Sequence, residues 1–535
     1  MINIDDTLHS GLKKLAAGRM SRREFMTFAL GLGLAPSLAE ALMATARAGI
    51  PKRGGQFRLG ATGGSTSDTL DPATYLDVYT GTAFWGTLSN GLTEIDAGGD
   101  VVGDIAESFE ASDGARKWVF KLRNGVTFHD GRPLKTSDVI ASMNHHLGES
   151  STSAAKAILQ DVASIKADGP DTVIFELTGP SADFPYGLSD YHLPIMPAKD
   201  DGTADWSSGI RTGAYQLKKL QPGVKASFSR NENYHKPDRG WFDSVEILSI
   251  ADSTARTNAL MSGEIDYMDR CDLKVLPLLE SYPGISILET TGYGSYVFAM
   301  NVTTKPFDDP NVRMALKYSM DRDDILNVLF YGHGTTGNDT PIAPTVKFAF
   351  DPMPRHTYNP AKARDYLKKA GLDKLSISLS VADAAFAGAV DCALMWREQA
   401  KICNIDINVV REPEDGYWTN VWRKKPFVSA YWFGRPTIDW MMTTAFTSNA
   451  VWNDTSWSNT RFDELLAQAR AETEEDKRAA MYAEAQQILH DDGGIITVLF
   501  NSYVEAHTSG LSHGMVASNS QLDGMRIAER WWFES

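Results

Sequence analysis

Cysteine is scarce in this chain: three in 535 residues, at Cys271, Cys392 and Cys403. So small and scattered a set gives no disulfide framework. Cys392 and Cys403 on one helix would stand about 16 Å apart, too far to bridge, so buried free thiols are expected. Positive charge is also short, with 52 Lys and Arg against 68 Asp and Glu and a formal net charge of -16. That field opposes polyanions and excludes nucleic acid and anionic membrane surfaces as partners. Low-complexity tracts are missing, and so is any apolar run near the roughly 18 residues that cross a bilayer. There is no His-Glu-x-x-His or paired-Cys motif, so neither a metal nor another cofactor is called for. No pair of carboxylates and no nucleophile with its base can be assigned from spacing, which speaks weakly against an enzyme.

What is present is an ordinary globular composition, 43% hydrophobic and 22% charged, in a chain long enough for two or three domains. Ser21-Arg22-Arg23-Glu24-Phe25-Met26 is a twin-arginine motif. An apolar run from Phe25 to Leu34 and a small-residue site at Ala46-Arg47-Ala48 follow it. Residues 1–48 therefore read as an export signal cut after Ala48, an uncleaved anchor being the alternative. The mature chain is expected to be soluble in the periplasm or outside the cell.

The stretch from Pro426 to Trp440 organises the functional reading. Phe427 to Phe433 is β-branched and aromatic enough for a buried strand, and Gly434-Arg435-Pro436 stops it. One arginine thus reaches a loop with Tyr431, Trp432 and Phe433 before it and Asp439 and Trp440 after it. Flat walls around a fixed guanidinium fork suit a small polar ligand with a carboxylate. Core packing with Arg435 bridging a structural acid is the other reading. Upstream, Gly54 to Leu59 predicts a strand that runs into small polar residues, where backbone N–H groups at Gly64 and Ser65 could approach a ligand. An ordinary loop is equally open there.

Further elements follow from pattern. A helix is expected over 82–92. Trp118 to Arg123, Asn124-Gly125 and Val126 to Phe128 predict a hairpin. Thr136-Ser137-Asp138 caps a helix through about Leu147. Asp309-Pro310 starts a helix with Val312, Ala315 and Leu316 on one face, and Asp321 starts another with Ile325, Val328 and Leu329. Phe462, Leu465, Leu466 and Ala469 repeat at helical spacing. Thr473 with Asp476 predicts a capping box for a helix through Leu489, and Ile495 to Phe500 a strand. Strands and helices alternate irregularly, which predicts α/β with mixed sheets.

Some motifs carry nothing. Gly332 to Gly337 matches the dinucleotide fingerprint but follows a helix, and Pro341 blocks the helix that must receive the pyrophosphate. Ser153 and Lys156 match a serine–lysine pair without its downstream Ser-Asp-Asn or Lys-Thr-Gly partners. His145 and His146 face different ways on a helix, and His129 reads as a structural hydrogen-bonding group.

Three separated blocks carry a family resemblance. The first runs from Asp104-Ile-Ala-Glu-Ser-Phe-Glu through Trp118-Val-Phe-Lys-Leu-Arg-Asn-Gly-Val-Thr-Phe-His-Asp-Gly-Arg-Pro to Asp138-Val. The second comprises Gly213-Ala-Tyr-Gln-Leu, Ser229 to Tyr234 and Met261 to Asp266. The third comprises Ala299-Met-Asn301, Pro306 to Arg313 and Met320-Asp-Arg322. Together they resemble the family 5 extracellular solute-binding proteins, the peptide- and nickel-binding subunits of ATP-binding-cassette (ABC) importers.

The resemblance implies a bilobal periplasmic-binding-protein fold with mixed sheets and a ligand cleft between the lobes. Lobe I would combine residues 49–87, 206–297 and 501–535, with an extension over 88–205, and lobe II would be 298–500. Crossings near Tyr293 to Asn301 and Leu499 to Val504 would form the hinge, with Tyr293 and Tyr296 facing either the ligand or the interior. The implied partners are a small solute and an inner-membrane permease with its ATPase subunits, the protein itself being a monomer. Where peptide-binding members carry an acid for the peptide's amino terminus, this chain has Trp432-Phe-Gly-Arg435, which reverses the charge. A carboxylated solute such as an opine-like conjugate, or a sugar-containing compound stacked on Trp432, Trp440 and Trp452, then fits better than a plain peptide. Asp439 keeps peptides open. Nickel or metallophore binding through His333, His356 or His507, and a secreted hydrolase, are the remaining alternatives.

Overall fold

The computed structural model describes residues 51–148, 151–153, 155–450 and 452–534. The segment expected to be an export signal lies outside them. The β-rich stretches build one eleven-stranded sheet, mixed as the pattern predicts. Its spine is an antiparallel pair of long strands, Ile285–Met300 and Ile495–Thr508. On one side lie Tyr267–Met268, Gln56–Ala61, Ser244–Ser249, Lys225–Arg230 and Tyr215–Gln221; on the other lie Phe427–Trp432, Leu375–Val381 and Ile405–Arg411. The spine's register breaks between Thr291 and Ser295. Gly292 and Gly294 sit in that break. A Cβ on Gly292 would stand 2.9 Å from the Asn501 carbonyl oxygen, and one on Gly294 2.4 Å from Asn501 Oδ1. Only glycine lets the Asn501 backbone and side chain approach this strand so closely.

Apolar side chains gather in separate clusters along this sheet. Phe57, Tyr79, Phe228 and Trp531 belong to one, and Phe298, Trp396, Phe427 and Val498 to another. A third surrounds Trp432, Phe462 and Tyr482. The smaller antiparallel sheet of Ala106–Ser112, Lys117–Leu122, Thr172–Leu177 and Val162–Ala167 packs its own cluster, Trp118, Phe120, Val139 and Phe175, beneath helix Thr136–Asn144. Arg526, fully buried, ties the chain's end to this region: it pairs with Asp104 at 3.0 Å and Glu529 at 2.6 Å, and Lys236 closes on Asp104 at 2.7 Å. Two cationic and two anionic groups satisfying one another in this way can stay charged away from water.

Several local expectations need correction. No hairpin joins Trp118–Arg123 to Val126–Phe128, because both edges of Lys117–Leu122 are occupied, by Ala106–Ser112 and Thr172–Leu177. Thr82 to Leu92 is not one α-helix: a short turn at Val78–Thr80, capped by Asp77, runs into a π-helix over Gly81–Thr87. The capping box at Thr473 does not form. Helix Glu475–Asp492 begins after Glu474, and Glu472 Oε1 instead accepts from the N–H groups of Thr473 and Glu474, at 2.9 Å each. Val328 faces solvent, and the strand predicted to end at Phe500 continues to Thr508. Asp309 and Asp321 do cap their helices, and Phe462, Leu465, Leu466 and Ala469 are all buried. The three thiols are free and buried.

Candidate functional site

Strand Phe427–Trp432 pairs with the spine, Trp432 opposite Ser295, and leaves the sheet beside the register break. Gly434 lies against Tyr293, where a Cβ would stand 1.9 Å from the Tyr293 Cβ. The next residue is Arg435. Its guanidinium reaches only carbonyl oxygens, those of Phe433 at 3.3 Å and Gly434 at 3.5 Å, and sits 5.8 Å from the Trp440 ring centre. The nearby acid is Asp190, which raises the Arg435 pKa against the lowering caused by burial. Asp190 is itself engaged by His192 Nδ1 at 2.6 Å. Among the described residues Arg435 forms no ion pair, so the structural acid of the alternative reading is not there. A partly desolvated guanidinium with open N–H donors favours a carboxylate or phosphate.

The other predicted residues divide. Tyr293 is buried, and Tyr296 stacks on Phe386 with centroids 4.5 Å apart. Trp432 is buried among Trp422, Phe446 and Trp452, and its Nε1 has no hydrogen-bond partner. Phe433 and Trp452 are exposed, at 64% and 45%, while Trp440 is half-buried. Asp439 is taken by Arg470, whose Nε donates at 3.1 Å and second guanidinium nitrogen at 3.2 Å; burial pushes its carboxyl up to about 6. Gly64 donates its N–H to Asp77 at 2.7 Å and Ser65 donates to Asp68 at 2.7 Å, so these N–H groups are satisfied within the chain.

Three residues escaped the sequence reading. Arg270, at φ 47°, donates to Gln521 Oε1 at 2.9 Å, and its charge acts on Tyr296 and Tyr503. It too forms no ion pair among the described residues. Tyr503 lies against Gly292, 2.8 Å from where its Cβ would be. Asp454 accepts from Trp422 Nε1 at 3.1 Å, while its Oδ1 is buried without a partner and burial pushes its carboxyl up to about 7. The aromatic density around Trp452 was the available signal for Asp454; Arg270 had none.

Residues 100–183 also contact residues 347–478, the stretch that includes Arg435. Ala182 N–H donates to the Arg470 carbonyl at 2.8 Å, Arg478 pairs with Asp183, and Lys347 pairs with Asp100 at 2.8 Å. The declined motifs are structural. His129 sits between the Arg211 N–H and the Gly213 carbonyl. Ser153 Oγ meets His146 Nδ1 at 2.7 Å, but among the described residues no acid hydrogen-bonds that imidazole, whose Nε2 has no partner. Thr335–Thr336, inside the glycine motif, is a strand paired with Leu499 and Phe500.

The profile of the bacterial extracellular solute-binding proteins, family 5, middle section, matches residues 100–454. The glutathione-binding protein GsiB of Escherichia coli (strain K12) is 25% identical over 466 residues, spanning 84% of this chain and 90% of that protein. Among solved structures, HbpA2 from Haemophilus parasuis superposes with a TM-score of 0.79 at 20% identity, covering 88% of this chain and 99% of its own. The periplasmic binding protein DppA from Helicobacter pylori in complex with peptide STSA gives 0.69 at 21% identity, covering 90% and 99%. The fold is therefore that of the bilobal periplasmic binding proteins, and the chain belongs to the family 5 extracellular solute-binding proteins of ABC importers.

Proposed function

We propose that this family member captures a small carboxylated solute, of the glutathione or opine type or a short peptide held by its carboxylate, and delivers it to a permease and its ATPase subunits. The observation that carries this is the Arg435 guanidinium, set beside the register break with open donors and no ion pair. Arg270, which forms no ion pair among the described residues, adds a second cation whose charge acts on Tyr296 and Tyr503. Glutathione, the ligand in the name of the relative GsiB, carries two carboxylates. In this reading residues 49–87, 206–297 and 501–535 form lobe I, 88–205 its extension and 298–500 lobe II. The spine strands bend at Gly292 to Gly294 and at Asn501, and ligand burial shifts an open–closed equilibrium. The protein acts in the periplasm as a monomer, after twin-arginine export, and turns nothing over.

The test is a thermal-shift screen of the mature protein with glutathione, opines, di- and oligopeptides, sugars and nickel, followed by calorimetry. A ligand at about a hundred times its dissociation constant adds roughly 2.7 kcal/mol of stability. A carboxylated compound that stabilises the wild type but not Arg435→Ala supports the reading. Hits confined to sugars or nickel, or affinity unchanged in Arg435→Ala, reject it. Recognition of a peptide's ammonium group is the second reading, favoured by the buried, unpartnered Asp454 Oδ1. It expects Asp454→Asn to weaken peptides while sparing ligands without an amine.

A further inference from the structure

Away from Arg435, the last turn of helix Glu475–Asp492 meets residues 351–356. Two imidazoles stack there, His356 and His490, with ring centroids 3.7 Å apart and planes 11° apart. Both are buried. Each has one nitrogen against a carboxylate, His356 Nδ1 at 2.7 Å from Asp339 Oδ2 and His490 Nδ1 at 2.8 Å from Asp491 Oδ1. His490 Nε2 is buried and has no partner. One donor atom from each of His356, His490 and Asp491 lies within 4.8 Å of the other two.

The contacts with the carboxylates occupy only the Nδ1 atom of each ring. Lys317 Nζ donates to the His490 carbonyl at 2.6 Å, which helps hold that ring in place. A buried nitrogen left without a partner is destabilising, which a bound cation would offset. Asp339 is itself held by Arg322 at 2.7 Å and by the Thr497 N–H at 3.0 Å. Carboxylate-oriented histidine is the usual outer arrangement of a metal site. Asp491 is exposed, opening the cluster to solvent, and Gln487 Nε2 steadies both its oxygens at 3.0 Å.

We propose that His356, His490 and Asp491 bind one divalent transition-metal ion of the Zn2+ class, with water completing the shell. Two imidazoles and one carboxylate suit such an ion, whereas Ca2+ and Mg2+ prefer all-oxygen sites. The ion would fasten the helix end to residues 351–356, apart from the solute site.

Chelator-treated full-length protein, titrated calorimetrically with Zn2+ alone, should take up one equivalent and melt at a higher temperature. Asp491→Asn, a change at an exposed position, should weaken uptake at least about tenfold, and His490→Gln should abolish it. Arg435→Ala should leave it unchanged. Absence of uptake by the wild type overturns the proposal. So does uptake that Asp491→Asn leaves at full affinity, since the ion would then sit elsewhere. Failure of His490→Gln to fold would not obscure the result, because Asp491→Asn decides it.

Discussion

Gly434 and Tyr293 are in contact so close that a Cβ on Gly434 would stand 1.9 Å from the Tyr293 Cβ and 2.4 Å from its carbonyl carbon. Both sides of the clash belong to rigid structure, a spine strand and the loop that carries Arg435. Gly434→Ala should force the loop away from the spine, lowering stability by about 1–3 kcal/mol and weakening ligand binding together with it. Denaturant melts and calorimetry read the two effects. An unchanged melt would mean that the loop moves freely and does not fix Arg435.

Arg435 makes the opposite prediction for stability. Because it forms no ion pair among the described residues, Arg435→Ala should leave the ligand-free melting temperature unchanged or slightly raised. Affinity for a carboxylated ligand should fall by about 10- to 100-fold, on the order of 1–3 kcal/mol for a charge-assisted pair. Arg435→Lys keeps the charge and loses the fork, so it should fall between the two. A loss of ligand-free stability in the alanine variant would point to a structural partner instead.

Two ion pairs join Asp183 to Arg478 and Asp100 to Lys347, and they differ in burial. Arg478 is 7% exposed and meets Asp183, whereas Asp100, opposite Lys347, has an exposed side chain. Asp183→Asn strands a buried guanidinium and should loosen the junction. The radius of gyration of the ligand-free protein in X-ray scattering should rise and ligand affinity should drop several-fold. Asp100→Asn should change little, because exposed pairs contribute about 0–1 kcal/mol. Equal effects from the two variants would contradict burial as the deciding factor.

Local pattern made part of this molecule readable. The aromatic strand ending at Gly434-Arg435-Pro436 and the caps at Asp309 and Asp321 each act over a few residues. Ile495–Thr508 was read short because Asn501, Ser502, Glu505 and His507 interrupt its apolar run, while its partner strand supplies the pairing. The hairpin at Asn124-Gly125 failed for the same reason, since strands elsewhere in the chain claimed both edges. Asp439 could not be assigned from sequence because Arg470, which neutralises it, comes from the next helix. Arg270 lies in no periodic segment, and only the packing of Tyr296 and Tyr503 reveals it.

Glu505 gives a pH dependence of defined sign. Tyr267 O–H donates to its Oε2 at 2.8 Å and Leu522 N–H to its Oε1 at 3.0 Å, but burial, joined by the charges of Asp269 and Asp523, pushes the carboxyl up to about 8. In the unfolded chain the group titrates at the ordinary glutamate value of 4.5. Between those values the folded protein keeps a proton that the unfolded chain releases, so stability falls as pH rises through the window. Below it, the penalty is absent. The limiting slope is about 1.4 kcal/mol per pH unit. Glu505→Gln mimics the protonated acid and can still accept from Leu522. Wild type and variant should therefore melt alike near pH 4.5, with the variant increasingly more stable up to pH 8. Parallel curves across that range would mean that Glu505 is ionised in the folded state, with a cation compensating it.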